Sequence, residues 1–498
     1  MKRTDKKTVD TEKRKSPKNP KKSNCYPYQI FANIKNLNHQ IKLCLTRHPI
    51  IKNTLVFISS FVFTFFVYFL VQTRSPLSDV FTTGRISILK DRPANVTRDI
   101  IVDMSSFWEV GGVMTLLRAL ITDISKKRPN WRLLVLVSKN QKHIYDFPQS
   151  PNVKLIEVNN AFSFILYFER ILNLESFGLF HDKLVQLLYY DLIFCDRDCD
   201  LVWDPDGNSC CSNFVTVPRI STVHDLLCFD IPPGFFDGIL MRKTKICVEN
   251  AIHFSKKIIT VSEFSQKRIC DKFHVSKDFV KLIPTKLGER VYSSTNPEKC
   301  TDVLKKYQLA PQNYFIFCSS WWKNKNHLTL IKAFNKFAEK NSDIKLILVG
   351  KHTGVLDSRP IEEFSSDRVI ITGFVPDEEL GILLKNALAF IHPSVYEGFG
   401  MPIIEALANG IPVACSNVTS LPEVAGPAAL LFDPFNVDSI TQAMHRLADD
   451  PQLRKDLIKK GYEQAKKYSD RDAMVDEYIR VMEEVMREND LRKAGKGK

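Results

Sequence analysis

Short apolar runs alternate with helical patterns along most of the chain. The runs predict two series of strands, which are Ile100–Met104, Leu133–Val137, Lys154–Val158, Leu201–Trp203, Ile220–Val223 and Ile258–Val261, followed by Tyr314–Cys318, Lys345–Val349, Val369–Thr372, Leu388–Ile391, Val413–Cys415 and Ala429–Phe432. Between them, apolar residues recur at helical spacing in segments such as Gly112–Lys126, Leu328–Lys340 and Glu378–Lys385. This alternation favours parallel sheets with helices on both faces.

The predicted strands are too many for one ordinary sheet. We therefore expect an α/β protein with two Rossmann-like, doubly wound domains, at residues 98–295 and 310–470, joined by the polar stretch Ser293–Ala310. Ligands of such sheets bind at the carboxyl ends of the strands, so two facing domains are expected to form a cleft. A capping pattern at Ser469–Asp472 precedes a final helix, Met474–Met486, within the C-terminal segment 471–498.

One apolar run differs from all the others in length. Thr54–Val71 contains 18 residues without a charge, just enough to span a bilayer as a helix. It has no amphipathic pattern, which favours a transmembrane or membrane-anchor helix over a buried core helix. We therefore predict a tail at residues 1–53, a membrane segment at 54–71 and a linker at 72–97.

The charge of the 498-residue chain is concentrated in the tail. The chain has a net charge of +14, and residues 1–53 hold 14 Lys and Arg against 3 Asp and Glu, so +3 remains for everything after them. The tail has the composition of a disordered segment. Because the folded part needs no basic face, we expect no nucleic-acid partner.

Two groups of residues raise the possibility of a metal. The cysteines Cys195, Cys199, Cys210 and Cys211 cluster, but they lack paired C-x2-C spacing and a nearby histidine. Three D-x-D patterns, Asp196-x-Asp198, Asp198-x-Asp200 and Asp204-x-Asp206, lie close together, and acidic pairs of this kind are common in loops. We predict no metal site from either group.

The segment Glu397–Glu405 carries the clearest candidate chemistry. Two carboxylates flank a turn, Gly398-Phe399-Gly400, that leads into a helix at Met401-Pro402. The glycines allow close approaches that a Cβ would forbid, and Pro402 suits the first helical position. Free N–H groups at the helix start favour an anion, while carboxylates accept hydrogen bonds from sugar and ribose hydroxyls.

This segment resembles the E-x7-E motif of retaining GT-B glycosyltransferases of the glycosyltransferase 4 (group 1) family. The resemblance covers roughly residues 98–485 and is strongest over 314–434. It implies that Glu397 orients the donor sugar, that Glu405 binds ribose, and that Gly398, Phe399, Gly400 and Met401 line the donor site. It also implies that the last helix crosses back onto the first domain.

Further matches extend the implied site. His224-Asp225-Leu226 resembles the family element in which a histidine lies beside the transferred sugar, and Gly111-Gly112 resembles the turn that faces the donor diphosphate. Phe374 and Val375 lie in a turn that the family places against the nucleotide base. The strand and turn Lys257–Ser265, with Ser262 as an N-cap, and the segment Ser420–Val424, with Glu423, match the family as mainly structural elements.

One match departs from the family pattern. The loop Ser319–His327 has Lys325 where the family has a lysine for the diphosphate, but Ser319 stands where an arginine is common. Lys323 is a candidate substitute, since a lysine neutralises phosphate as a point charge. The departure keeps a second hypothesis open, a non-catalytic glycosyltransferase-like scaffold subunit; a third is a GT-B sugar-nucleotide epimerase.

We accordingly expect a membrane-anchored, retaining hexosyltransferase with catalytic residues Glu397 and His224. Its donor is a UDP- or GDP-linked sugar, its acceptor a glycan, a lipid-linked sugar or a protein, and it needs no metal or other cofactor. Charge places the tail in the cytoplasm and the catalytic part across the membrane. The supply of donor instead favours an anchor that leaves both flanks in the cytoplasm. Sequons occur at Asn95 and Asn417, and a glycan on Asn417 would crowd the pocket of a lumenal enzyme.

Overall fold

The computed structural model describes residues 92–104, 112–138, 150–158, 199–207, 217–232, 235, 238–287, 297–340, 343–351, 364 and 366–495. Within these ranges the chain forms two parallel β-sheets flanked by helices. The predicted tail at 1–53, the apolar segment 54–71 and most of the linker 72–97 lie outside the described residues. No helix among the described residues is both long and apolar enough to cross a membrane.

The first sheet has seven parallel strands in the order β3-β2-β1-β4-β5-β6-β7. They are β1 (Arg98–Asp103), β2 (Trp131–Ser138), β3 (Val153–Val158), β4 (Leu201–Asp204), β5 (Arg219–Thr222), β6 (Lys257–Thr260) and β7 (Val280–Leu282). The strand order reverses between β1 and β4. In doubly wound sheets a crevice for ligands opens at this reversal, outside the carboxyl ends of the strands.

The second sheet repeats this order with six parallel strands, β10-β9-β8-β11-β12-β13. They are β8 (Tyr314–Cys318), β9 (Lys345–Val349), β10 (Val369–Gly373), β11 (Ala389–His392), β12 (Val413–Ser416) and β13 (Ala429–Phe432). Here the reversal falls between β8 and β11. The fold class of two doubly wound, parallel-sheet domains is therefore confirmed.

Helices connect the strands and cover both sheets. Those described are α1 (Gly112–Lys127), α2 (Leu227–Asp230), α3 (Gly238–Phe254), α4 (Glu263–Phe273), α5 (Pro297–Lys306), α6 (His327–Ala338), α7 (Asp377–Lys385), α8 (Met401–Ala408), α9 (Leu421–Ala425), α10 (Val437–Asp449), α11 (Pro451–Lys466) and α12 (Arg471–Gly495). Short 3-10 turns occur at Lys323–Lys325 and Gly426–Ala428. The stretch where the sequence predicts the join between domains contains α5, whose Val303 and Leu304 pack into the second core.

The C-terminal helix returns to the first domain. Its apolar residues, including Met474, Tyr478 and Met482, belong to the same buried cluster as β1 and β2. The rings of Tyr478 and Trp203, on β4, lie 5.6 Å apart. The helix begins at Arg471, because Asp470 accepts a hydrogen bond from the Ala473 amide, so the predicted start near Met474 is too late.

Two other local details differ from the sequence prediction. Strand β7 was not predicted; it has three residues with a lysine in the middle, too little for an apolar pattern. Helix α8 begins at Met401, so Pro402 occupies its second position rather than its first. The reason is Gly400, whose φ of 105° makes it the N-cap and lets Met401 start the helix.

Candidate active site

Glu397 lies at the centre of a compact charged cluster beside the second sheet. Its Oε1 is 2.6 Å from Lys325 Nζ and 3.3 Å from His392 Nε2. The Glu397 side chain is 13% exposed, and that of His392 is 1% exposed. A carboxylate held by two donors on one oxygen keeps its other oxygen available to a ligand.

The topology of the second sheet explains why these side chains meet. Lys325 follows β8 and Glu397 follows β11, the neighbouring strands at which the strand order reverses. Two hydrogen bonds hold the loops together. Asn324 Nδ2 donates to the Tyr396 carbonyl at 3.1 Å, and the Val395 amide donates to the Asn324 carbonyl at 2.8 Å. The cluster therefore occupies the ligand crevice that this fold provides.

The neighbours of Glu397 stabilise its ionised form. Burial by itself would raise the pKa of Glu397, but the positive charge of Lys325 and the hydrogen bond from His392 outweigh it and leave that pKa well below the ordinary value. Burial is also the main reason that the pKa of His392 is lowered. At neutral pH the cluster therefore contains an ionised Glu397 beside a neutral His392.

The turn after Glu397 is held by side chains from the next loop. Ser420 Oγ lies 2.9 Å from the Glu397 carbonyl and 3.0 Å from the Phe399 carbonyl, and donates towards them. The Glu397 amide donates to Thr419 Oγ1 at 3.2 Å. Phe399 is buried, and half-buried Glu405 lies one turn into α8. The turn thus presents a fixed helix start between the two carboxylates of the predicted motif.

His224 and Asp225, from the first domain, pack directly against this turn. A Cβ built on Gly398 would lie 2.5 Å from the His224 carbonyl oxygen, so only glycine permits the observed approach. Ser262 Oγ donates to the Gly398 carbonyl at 2.7 Å, and Ser265 Oγ donates to the His224 carbonyl at 2.9 Å. The structure therefore brings together the predicted residues His224, Gly398 and Glu397 at the junction of the two domains.

His224 is oriented by the loop that follows β4. Its Nε2 lies 3.2 Å from the Pro205 carbonyl and 3.9 Å from an Asp206 carboxylate oxygen. Burial lowers the pKa of His224, so the imidazole is neutral at neutral pH. Burial likewise raises the pKa of the neighbouring Asp225, whose Oδ1 accepts a hydrogen bond from the Leu227 amide.

The other predicted donor residues differ in their exposure. Lys323 is exposed, Phe374 is 77% exposed and Val375 is buried. Gly112 is the first residue of α1, and its partner Gly111 lies outside the described residues. Ser319, at the end of β8, touches Gly350, where a Cβ would lie 1.8 Å from the Ser319 carbonyl oxygen.

Two elements predicted to be mainly structural do connect the domains. Glu423 accepts hydrogen bonds from the amides of Glu263 and Phe264, at 2.8 and 3.1 Å, and so caps α4 of the other domain. Ser262 is the N-cap of α4, as predicted, and accepts from the Ser265 amide. Both contacts lie beside the Gly398 turn.

The described residues include the candidate metal ligands Asp204 and Cys199. Asp204 forms a buried ion pair with Arg219 at 2.6 Å and accepts from the Gly207 amide. Cys199 is a buried free thiol, and its pKa is raised to about 12 by burial. Within the described ranges, no group of three or more His, Cys, Asp or Glu side chains is arranged to hold a metal ion. Asp196, Asp198, Cys195, Cys210 and Cys211 lie outside those ranges.

Sequence reasoning missed four residues of the site, which are His392, Tyr396, Asp230 and Arg268. The predicted strand Leu388–Ile391 stops one residue before His392, although a histidine at the end of a buried strand is a usable signal. Tyr396 donates to an Asp230 carboxylate oxygen at 2.8 Å, and Arg268 holds the same carboxylate. No local pattern in the sequence indicates this pair, because its members are brought together only by the contact between domains.

Two facing doubly wound, parallel-sheet domains define the GT-B class of folds. Solved structures share this arrangement. A glycosyltransferase from Rickettsia africae superposes with a TM-score of 0.58 at 16% identity, covering 78% of this chain and 98% of the other. HepE from Anabaena, solved with UDP and glucose, superposes with a TM-score of 0.57 at 18% identity, covering 78% and 100%.

Sequence relatives identify the family. Residues 302–464 match the family described as Glycosyl transferases group 1. The chain is 36% identical over 256 residues to O-antigen chain mannosyltransferase B of Escherichia coli, covering 50% of this chain and 66% of that protein. It is 28% identical over 247 residues to O-antigen chain mannosyltransferase RfbU of Salmonella typhimurium, covering 48% and 65%. The matches thus span just under two thirds of either relative. Residues 302–464 therefore form a domain of the group 1 glycosyl transferases.

Proposed function

We propose that this protein is a glycosyltransferase that moves a hexose from a nucleotide-sugar donor to a glycan, a lipid-linked sugar or a protein. The observation that carries the proposal is the cluster of Glu397, Lys325 and His392 at the strand-order reversal of the second sheet, facing His224 across the domain contact. Such a site combines an ionised acceptor for sugar hydroxyls with a cation for phosphate.

Each side chain has a chemical role in this proposal. Lys325 and the start of α8 hold the diphosphate and stabilise the negative charge that grows as it leaves. Glu397 accepts hydrogen bonds from hydroxyls of the donor sugar, and Glu405 accepts from the ribose. His224 contacts the sugar from the first domain, so transfer requires the closed contact at Gly398. Phe374 and Val375 flank the base, and Lys323 adds positive charge near the phosphates.

The identity of the sugar is inferred from relatives. O-antigen chain mannosyltransferase B and RfbU are named as mannosyltransferases, and so is a relative of Mycolicibacterium hassiacum named MMP alpha-(1->4)-mannosyltransferase, 29% identical over 199 residues. Mannose from a GDP-linked donor is therefore the first candidate, ahead of a UDP-linked hexose. We further propose that transfer retains the anomeric configuration. We also propose that it needs no metal, because Lys325 and the helix dipole supply the positive charge.

We also propose that residues 54–71 hold the enzyme at a membrane, with the catalytic part on the cytoplasmic side, where donor is supplied. Asn95 and Asn417, the sequon asparagines, are both exposed and so report the topology. Protease added to sealed membranes should degrade the catalytic part, and Asn95 should carry no glycan. Protected, glycosylated protein would instead place it in a lumen.

The proposed activity is tested with purified protein and labelled GDP-mannose, UDP-glucose and related donors. We expect one nucleoside diphosphate to bind in a calorimetric titration, and its sugar to be transferred to an acceptor extract, with activity unchanged by a chelator. Absence of binding to every nucleotide would favour the scaffold hypothesis that Ser319 keeps open. Isomerised donor without transfer would favour an epimerase, and metal dependence would revive the D-x-D alternative.

A further inference from the structure

His392 is a buried histidine in a place suited to an apolar side chain. It ends β11 and lies between two phenylalanine rings, with Phe317 at 5.5 Å edge-on and Phe390 at 5.8 Å stacked, measured between ring centroids. Its backbone carbonyl accepts from Ser416 Oγ at 3.2 Å, so the strand end is fixed independently of the ring. The imidazole makes one described side-chain hydrogen bond, from Nε2 to Glu397 Oε1.

The other ring nitrogen of His392 has no such contact within the described part of the chain. His392 Nδ1 is buried and has no hydrogen-bond partner among the described residues. To donate to a carboxylate, Nε2 must carry the proton, which leaves the Nδ1 lone pair facing its apolar surroundings. A buried polar atom without a partner costs stability, and each such atom calls for an explanation. Leucine or phenylalanine would fill the space without this cost.

The contact with Glu397 supplies an explanation. Lys325 and His392 approach the same oxygen of Glu397, but they differ in mobility: Lys325 is a flexible cation, whereas His392 is a rigid ring at a strand end. A diphosphate competes with Glu397 for Lys325, because a lysine binds phosphate as a point charge. Once Lys325 turns to the diphosphate, His392 is left as the donor that fixes the Glu397 carboxylate.

We propose that His392 is a positioning residue that holds Glu397 in its productive orientation, through Nε2 and Oε1, when Lys325 engages the donor diphosphate. This inference rests on the proposed glycosyl transfer. It predicts that His392 matters for turnover and not for nucleotide affinity, since it touches the carboxylate and not the phosphate contacts. It also predicts that function, and not folding, requires a nitrogen at this position.

The test compares His392→Leu, which removes the donor at similar volume, with His392→Gln, whose amide nitrogen can take the place of Nε2. His392→Phe provides a second apolar variant, should leucine pack poorly. His445→Phe is the control, because it replaces another histidine of the same domain, on the outer helix α10. The measurements are kcat, KM for the donor, Kd for the nucleoside diphosphate, and Tm.

We expect His392→Leu to lower kcat about 10- to 100-fold, as for a displaced reacting group. The Kd for the nucleoside diphosphate should change less than about twofold, and Tm should be unchanged or higher. His392→Gln should recover most of kcat, and His445→Phe should match the wild type. Wild-type kcat in both apolar variants, or equal loss in glutamine and leucine variants, would overturn the inference alone. A wild-type protein that neither transfers sugar nor binds nucleotide would overturn the proposed function as well.

Discussion

The hydrogen bond between Tyr396 and Asp230 is one of several polar contacts between the two domains. The Tyr396 hydroxyl donates to Asp230 Oδ2 at 2.8 Å, and Arg268 Nε holds the same oxygen at 3.1 Å. Tyr396 immediately precedes Glu397, and Asp230 ends the short helix that follows His224. The two proposed catalytic residues are therefore linked by a polar contact that exists only while the domains touch.

Removing this contact should weaken catalysis without removing the donor site. Tyr396→Phe deletes one hydrogen bond to a charged acceptor while Arg268 still neutralises Asp230, so the cost is about 1–2 kcal/mol. We expect kcat/KM to fall about fivefold to thirtyfold, with nucleoside diphosphate affinity unchanged. Tyr462→Phe, at a half-exposed tyrosine of α11, is the control. Equal kinetics for the two variants would mean that the Tyr396 bond has no part in closure.

Gly398→Ala tests the close approach of the domains. The new Cβ would lie 2.5 Å from the His224 carbonyl oxygen and 3.0 Å from Asp225 Cβ, and backbone on one side must move. We expect transfer to fall at least about 100-fold, while nucleoside diphosphate still binds the second domain. Gly495→Ala, where nothing lies within 4 Å of a new Cβ, is the matched control. Normal turnover in Gly398→Ala would show that catalysis does not need this contact.

The two lysines of the loop after β8 should contribute unequally. Lys325 lies in the cluster at 2.6 Å from Glu397, whereas Lys323 is exposed. Lys325→Met should weaken nucleoside diphosphate binding about 10- to 100-fold, the range for losing a hydrogen bond between charged groups. Lys323→Met should weaken it only a few-fold, because its charge is solvated. Calorimetric titration distinguishes the two, and an unaffected Lys325 variant would remove this residue from the donor site.

The buried histidines should make stability depend on pH. Burial lowers the pKa values of His392 and His224 from the ordinary 6.5, so the unfolded chain binds protons that the folded protein does not. Stability is then retained above that value and decreases as pH falls below it. Tm should decrease between about pH 7.5 and about pH 5.5, and the decrease should be smaller in His392→Leu. An identical pH profile in that variant would mean that His392 does not titrate separately from its neighbours Glu397 and Lys325.

Local sequence pattern was enough to predict the sheets. Apolar runs such as Tyr314–Cys318 and Lys345–Val349 coincide with strands because both faces of a central parallel strand are buried. Strand β7 lacked this signal, because it is short and its central lysine is only partly buried. The period of a strand or helix therefore predicts elements well where burial is uniform.

The site could be predicted only in part. Glu397, Gly398 and Glu405 follow from one continuous motif, and His224 from its position at a strand end. The contact between His392 and Glu397 spans a loop, where no fixed period relates one side chain to another. Tyr396 and Asp230 are 166 residues apart and meet only through packing of the domains. Such pairs require the three-dimensional structure.

The central claim is that the carboxylates of Glu397 and Glu405 serve sugar transfer from a nucleotide donor. The most direct measurement is the transfer rate of Glu397→Gln and Glu405→Gln, with Glu488→Gln, an exposed glutamate of α12, as the control. We predict that each site variant loses at least about 100-fold in kcat/KM, while the control keeps wild-type activity and all three keep the wild-type Tm within a few degrees. Full activity in both site variants would contradict the assignment.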